Sequence, residues 1–198
     1  MKPLRLASTS AFLLLLQIGC SETSSLEVAP ASWLRSDASV TADGADVTLI
    51  ETTDLPPAVA DGLQFMREEE KLARDIYKAL ADKWKLRQFS NIALSEQRHM
   101  DALRTVLVRY ALKDPTENNG IGVFVNSSLQ SLYRQLLDKG LQSVTDAYQV
   151  GKLIEETDIA DLDQHIRELT TESDIRRVYS NLRQGSLQHL GVFERYLR

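Results

Sequence analysis

Glu96 and His99 lie three residues apart in Ser95-Glu96-Gln97-Arg98-His99-Met100, inside a stretch of helical periodicity. On a helix this spacing puts a carboxylate and an imidazole on one face, a turn apart. Those two groups are the ligands with which facing helices can hold a pair of transition-metal ions. The pair acquires that meaning only if neighbouring helices bring further ligands to its level.

Four other residues qualify by type and position. Glu70 interrupts the apolar stripe Leu63, Met66, Ala73, Tyr77, Leu80. Glu155 and Asp158, three apart, share the stripe of Gly151, Ile154 and Leu162. His189 lies on the stripe of Val178, Leu182, Ser186 and Phe193. Uncompensated carboxylates in a helical core each cost several kcal/mol. Two divalent cations would cancel the charge of Glu70, Glu96, Glu155 and Asp158, and His99 and His189 would complete the ligand set. Imidazole with carboxylate suits iron, manganese or zinc. Neighbouring acids leave two choices open, Glu69 or Glu70 and Glu155 or Glu156. The third histidine, His165, is expected at the surface or behind the ligands. Tyr77 lies two turns from Glu70 on the same face, where it could hydrogen-bond a ligand, act in redox chemistry or simply fill the core.

The elements that position these residues are helical throughout. From residue 58 onward Gly and Pro become scarce and helix formers dominate. The periodicity predicts helices over 58–83, 89–112, 143–168 and 172–197. A shorter helix is expected over 129–139, with Gly140 as its carboxyl cap. Asp114-Pro115 and Asn118-Asn119-Gly120 mark the long connection before it. Short links within each pair and a long link between pairs predict an all-α, ferritin-like four-helix bundle. Asp158 and His189 are expected at one height in the second hairpin. Glu70 and Glu96 miss a common height by about one turn, roughly 5 Å.

Composition sets outer bounds. The chain has 198 residues, a net charge of −5 and 43% hydrophobic residues. The acidic balance argues against a nucleic-acid partner, and the apolar content suffices for a core. Lys2 and Arg5 precede the apolar run Ala11 to Leu16, which is too short to cross a membrane. Residues 1–19 therefore read as a signal peptide. Gly19-Cys20 follows and resembles a bacterial lipoprotein signal, apart from Gln17 at a normally apolar position. The resemblance implies lipidation at Cys20 and a place at the cell envelope, anchored to the membrane. Cys20 is the only cysteine, so no intrachain disulfide can form. Residues 20–57 read as a flexible tether with one possible short strand over 45–51, and 58–198 as the helical domain.

Longer phrases carry a resemblance to rubrerythrins. Glu70-Lys-Leu-Ala-Arg-Asp-Ile-Tyr77, the Glu96/His99 motif and the acidic pair Glu155/Asp158 are each similar to a rubrerythrin helix motif. More closely, the stretch from Leu63 to Leu197 resembles an uncharacterised bacterial ferritin-like family of rubrerythrin type. The shared phrases are Arg67-Glu-Glu-Glu-Lys-Leu-Ala-Arg-Asp, Asn91-Ile92, Ile154-Glu-Glu-Thr-Asp-Ile and Gly185-Ser-x-x-His189-Leu190. The resemblance implies a di-iron site with O₂, peroxide or Fe(II)-oxidising chemistry, and possible homodimers. Where rubrerythrins carry a second Glu-x-x-His, this chain has Ser186-x-x-His189. Helix 143–168 could supply the missing carboxylate, or the site could hold one metal. The rubredoxin-like four-cysteine module is also absent, so redox chemistry would need an external electron donor. Metal binding without turnover and a metal-free helical interaction module are the alternatives.

Overall fold

The computed structural model describes residues 55–198, which form five helices and no strand. They are α1 (Pro57–Trp84), α2 (Arg87–Arg109), α3 (Ser127–Gly140), α4 (Val144–Glu168) and α5 (Ser173–Tyr196). The signal peptide over 1–19, Cys20, the strand over 45–51 and most of the tether lie outside the described residues. No helix among the described residues is long and apolar enough to cross a membrane.

Local chemistry explains most boundaries. Pro57 opens α1, where its fixed φ suits the first turn and its missing N–H strands no donor. Lys85, in the left-handed region at φ 56°, closes α1 by donating its N–H to the Ala81 carbonyl. Asn126 and Ser143 cap α3 and α4 by accepting backbone N–H groups with their side chains.

Apolar residues form two clusters, and their order along each long helix gives the helix directions. On α1, Leu63 and Met66 belong to one cluster, and Ile76, Tyr77 and Leu80 to the other. The order is reversed on α2, where Phe89 and Ile92 belong to the cluster of Tyr77, and Leu103 and Leu107 to that of Leu63. On α4, Val150 and Ile154 precede Leu162, and on α5, Ile175 and Leu182 precede Phe193. Thus α1 and α5 run one way, α2 and α4 the other. Helix α1 packs mainly on α2 and α4 mainly on α5, with further contacts between α1 and α4 and between α2 and α5.

Because α2 and α4 run the same way, the chain between them must travel the length of the helices. Polar groups of α1 hold this connection. Arg67 pairs with Asp114 at 3.0 Å, and Lys71 Nζ donates to the Gly120 carbonyl at 2.7 Å. Asp75 accepts from Gly122 N at 2.9 Å, and Glu68 from Asn126 N at 3.0 Å. At Gly122 the backbone is left-handed (φ 72°), and a Cβ would come within 2.7 Å of the Tyr133 ring.

Two expectations are corrected. Gly140 is not a left-handed cap. It is the last residue of α3, and Leu141 follows in right-handed conformation. Its value is close packing, because a Cβ there would come within 2.8 Å of Leu80 on α1. Helix α2 stops at Arg109, before 112, because Ala111 turns left-handed at φ 51°. Leu112 N then reaches the Leu107 carbonyl at 2.8 Å and Ala111 N the Val108 carbonyl at 3.1 Å, a Schellman closure. The Cβ at 111 is strained by about 1–2 kcal/mol. Glycine would relieve that strain but lose about 0.5–1 kcal/mol to chain entropy. Ala111→Gly should therefore raise stability by up to about 1.5 kcal/mol. The check is a higher urea midpoint at unchanged slope; a lower midpoint would contradict it.

Candidate metal centre

Between the two apolar clusters each long helix contributes polar residues at one level: Glu69 and Glu70 from α1, Glu96 and His99 from α2, Glu155 and Asp158 from α4, Ser186 and His189 from α5. The carboxylates among them are buried. Among the described residues, no lysine or arginine forms an ion pair with Glu69, Glu70, Glu96, Glu155 or Asp158.

Ligand-type atoms converge in two groups, Glu70/Glu96/His99 and Glu96/Glu155/His189, and either could hold a metal ion. Glu96 belongs to both. Its Oε2 lies 2.7 Å from His99 Nδ1 and its Oε1 lies 2.9 Å from His189 Nδ1. Glu70 Oε2 reaches His99 Nδ1 at 3.2 Å, and Glu155 Oε2 lies 3.5 Å from His189 Nδ1. The imidazoles stack with centroids 5.7 Å apart. Despite its short contact, neither Glu96 Oε1 nor His189 Nδ1 has a hydrogen-bond partner, and Glu70 Oε1 and Asp158 Oδ1 also have none. Buried oxygens and a nitrogen that approach without hydrogen bonding are suited to share a cation.

The surrounding contacts orient these groups. Tyr77, fully buried against Phe89 and Phe193, donates its hydroxyl to Glu155 Oε1 at 2.6 Å. Ser186 Oγ donates to Asp158 Oδ2 at 2.5 Å, so a small residue on α5 admits a carboxylate from α4. Gly185 gives His99 its room, since a Cβ there would lie 2.6 Å from the ring's Nε2.

The structure brings together Glu70, Glu96, His99, Glu155 and His189, with Asp158 beside them and Tyr77 behind Glu155. The neighbouring acids that the sequence leaves open as alternatives have different surroundings. Glu70 meets His99, whereas Glu69 faces Asp161. Glu155 is buried, whereas Glu156 is exposed and pairs with Lys152. His165 stays apart, 3.3 Å from Glu168 and packed on Gly62. The expected height match of Asp158 with His189 is corrected by one step: Asp158 meets Ser186, and Glu155 meets His189. The one-turn mismatch of Glu70 and Glu96 is bridged by His99, which touches both. Asp161 was overlooked by sequence reasoning, although it follows Asp158 by three residues on the same helix face.

Charge crowding shifts these groups from their ordinary pKa values. Burial, then the repulsion of Asp158, pushes the Glu70 carboxyl well above its ordinary range. Burial, then the Glu96 charge, raises Glu155 to about 8. Burial raises Asp158 to about 7, although the Ser186 hydrogen bond opposes it. Burial alone would raise Glu96, but His189 and His99 outweigh it and hold Glu96 at about 2. Burial would lower the imidazoles, yet Glu70 and Glu96 hold His99 at about 11, and Glu155 and Glu96 hold His189 at about 9.

These geometric features define an all-helical domain with a buried carboxylate–imidazole layer able to hold metal. Residues 59–198 match the family described as "Uncharacterized protein domain (DUF2202)", and the chain belongs to that family. A relative is the uncharacterized protein MJ0754 of Methanocaldococcus jannaschii, 51% identical over 137 residues, which are 69% of this chain and 74% of the relative. The crystal structure of that hypothetical protein is similar to this one with a TM-score of 0.71 at 47% identity. That likeness covers 75% of this chain and 84% of the other. This relative is archaeal, so the family extends beyond the bacteria to which the expected resemblance was confined.

The titration fixes a sign for the metal-free protein. Glu155 and Asp158 ionise at about 8 and about 7 when folded, against about 4 when unfolded. The folded state therefore binds more protons through this range, and stability falls as pH rises. His99 and His189, raised to about 11 and about 9, contribute fully below about 6.5 and lose that contribution as pH climbs through those values. Glu96, held at about 2, loses its contribution only in acid. Thermal melts in chelator should thus show a midpoint that falls from pH 5 to pH 9. A flat or rising midpoint would contradict this assignment of charge.

Proposed function

We propose that the domain is a ferritin-like four-helix bundle with a di-metal centre, iron being the first candidate and manganese or zinc the alternatives for the same ligands. The observation that carries this reading is Glu96, whose two oxygens face two different imidazoles in two ligand groups. Glu70, Glu96 and His99 would hold one ion, and Glu96, Glu155 and His189 the other. Asp158 would stand in for the carboxylate that Ser186 does not supply. The two hairpins of opposed helices and the long crossover between them support the ferritin-like assignment.

Such a centre, loaded with iron, supplies O₂ or peroxide binding and Fe(II) oxidation. The chain's own part is positional. Glu96 sets the separation of the two positions, and the Tyr77 hydroxyl fixes the orientation of Glu155. The apolar clusters above and below exclude water from the layer. Cys20 is the only cysteine, so electrons for turnover would come from an external donor. The envelope anchor through Cys20 is part of the same proposal and would place that donor outside the cytoplasm.

Elemental analysis of protein purified without chelator should give about two equivalents of transition metal per chain. Reloading metal-free protein at about 100 times Kd should raise the thermal midpoint by roughly 8 °C for each ion bound. His99→Ala should lose metal, and Gly185→Ala should imitate it by displacing the His99 ring. Less than one equivalent, unchanged by His99→Ala, would defeat the proposal. Oxygen uptake on Fe(II) addition then distinguishes turnover from metal holding.

A further inference from the structure

A line of aromatic rings leads from the ligand layer to the surface. Tyr77 begins it, since its hydroxyl donates to Glu155 Oε1 at 2.6 Å. Its ring centroid lies 5.5 Å from Phe193 and 6.2 Å from Phe89. Phe89 stacks on Tyr148 at 5.4 Å, and Phe193 reaches the same ring at 6.5 Å. Tyr148 in turn stacks on Tyr196 at 4.6 Å, with the planes only 4° apart. The first four of these rings are buried, whereas Tyr196 is 51% exposed. It borders a cavity of about 480 Å³ lined also by Gln88, Asn91 and Arg195, which leaves the ring within reach of small molecules.

Filling the core accounts for only part of this line. Ring pairs at such separations do stabilise a core. A core does not require tyrosines at both ends, one bonded to a candidate ligand and one in solvent. The other apolar cluster gives the contrast. There Phe65, His165 and Tyr179 also follow one another, but His165 contacts Glu168 and the Tyr179 hydroxyl has no partner, so no hydrogen bond ties that line to a candidate ligand. Tyrosine gives up an electron far more readily than phenylalanine, which makes the three tyrosines stations and the two phenylalanines bridges. An oxidised tyrosine persists only once its phenolic proton has left. Tyr196 can release that proton to water more readily than the buried rings, so an electron deficit on the line settles there.

We propose that Tyr77, Tyr148 and Tyr196, bridged by Phe89 and Phe193, carry an oxidising equivalent from the metal layer to Tyr196 at the surface. This route rests on the metal-centre reading. Hydrogen peroxide takes up two electrons and two protons to give two waters. Where the layer holds a single Fe(II), that ion gives one electron and becomes Fe(III). Tyr196 gives the other along the line of rings and loses its phenolic proton to water. The protein is loaded without air with one equivalent of Fe(II), then mixed with hydrogen peroxide in the presence of a nitroso spin trap. Peptide mass spectrometry locates the trapped tyrosine. The trap should mark Tyr196, and only when iron is bound. Tyr148→Leu should cut that mark several-fold at unchanged iron content, and Tyr148→Phe, which keeps the shape but resists oxidation, should lower it as well. Tyr110→Phe, in the other cluster, should leave it unchanged. If Tyr148→Leu also loses marking of Tyr196 by an external photochemical oxidant, its surroundings are disturbed and Tyr148→Phe alone decides. Equal marking of Tyr196 in the parent and the Tyr148 variants would overturn the relay, as the work of a diffusing oxidant. An iron-loaded parent with no mark at Tyr196 would overturn it too, while leaving the metal centre in place. A parent protein that takes up no Fe(II) would overturn the metal centre itself and the relay with it.

Discussion

The arrangement depends on one electrostatic constraint. Five carboxyl groups, Glu69, Glu70, Glu96, Glu155 and Asp158, are buried in a layer where, among the described residues, two imidazoles are the only basic partners within ion-pair distance. Apolar clusters close the layer from both ends, so water cannot repay the lost solvation. The charge must be neutralised by protons or by cations. Protons suffice for the metal-free protein, at the expense of raised carboxyl pKa values. Bound cations would satisfy the same groups and would also give partners to the oxygens that protons leave bare.

That constraint explains why α1 carries polar residues on every side. Three successive glutamates point in different directions because successive residues of a helix are turned by about 100°. Glu68 holds the crossover, Glu69 meets Asp161 and Glu70 meets His99. A charge run of this kind usually marks a solvated face. Here it marks a helix surrounded by α2, α4 and the crossover, each of which uses a different acid. The same economy of space appears on α5, where Gly185 admits the His99 ring and Ser186 admits Asp158.

Much of the domain was legible in the sequence because helical periodicity reports burial directly. The stripes that contained Glu70, Glu96, His99, Glu155, Asp158 and His189 do face one interior. What periodicity could not report was register between helices. The pairing of Asp158 with Ser186, rather than His189, follows from where the α4–α5 turn falls, to within one residue. Ala111 shows the same limit. Its left-handed backbone ends α2 early, although alanine is the best helix former and offers no signal to stop. Gly140 looked like a cap because glycine is common there, but the demand came from Leu80 on another helix. Asp161 was missed because a partly exposed acid on a helix is ordinary until the buried Glu69 is seen beside it.

Glu96 stands at the middle of this account, as the one carboxylate shared by two ligand groups. Anomalous diffraction from crystals of the protein grown with Fe(II) or Mn(II), recorded on both sides of the metal's absorption edge, tests that position most directly. The account predicts two peaks flanking Glu96, one against Glu70 and His99 and the other against Glu155 and His189. A layer with no peak, or a single peak that does not touch Glu96, would contradict it.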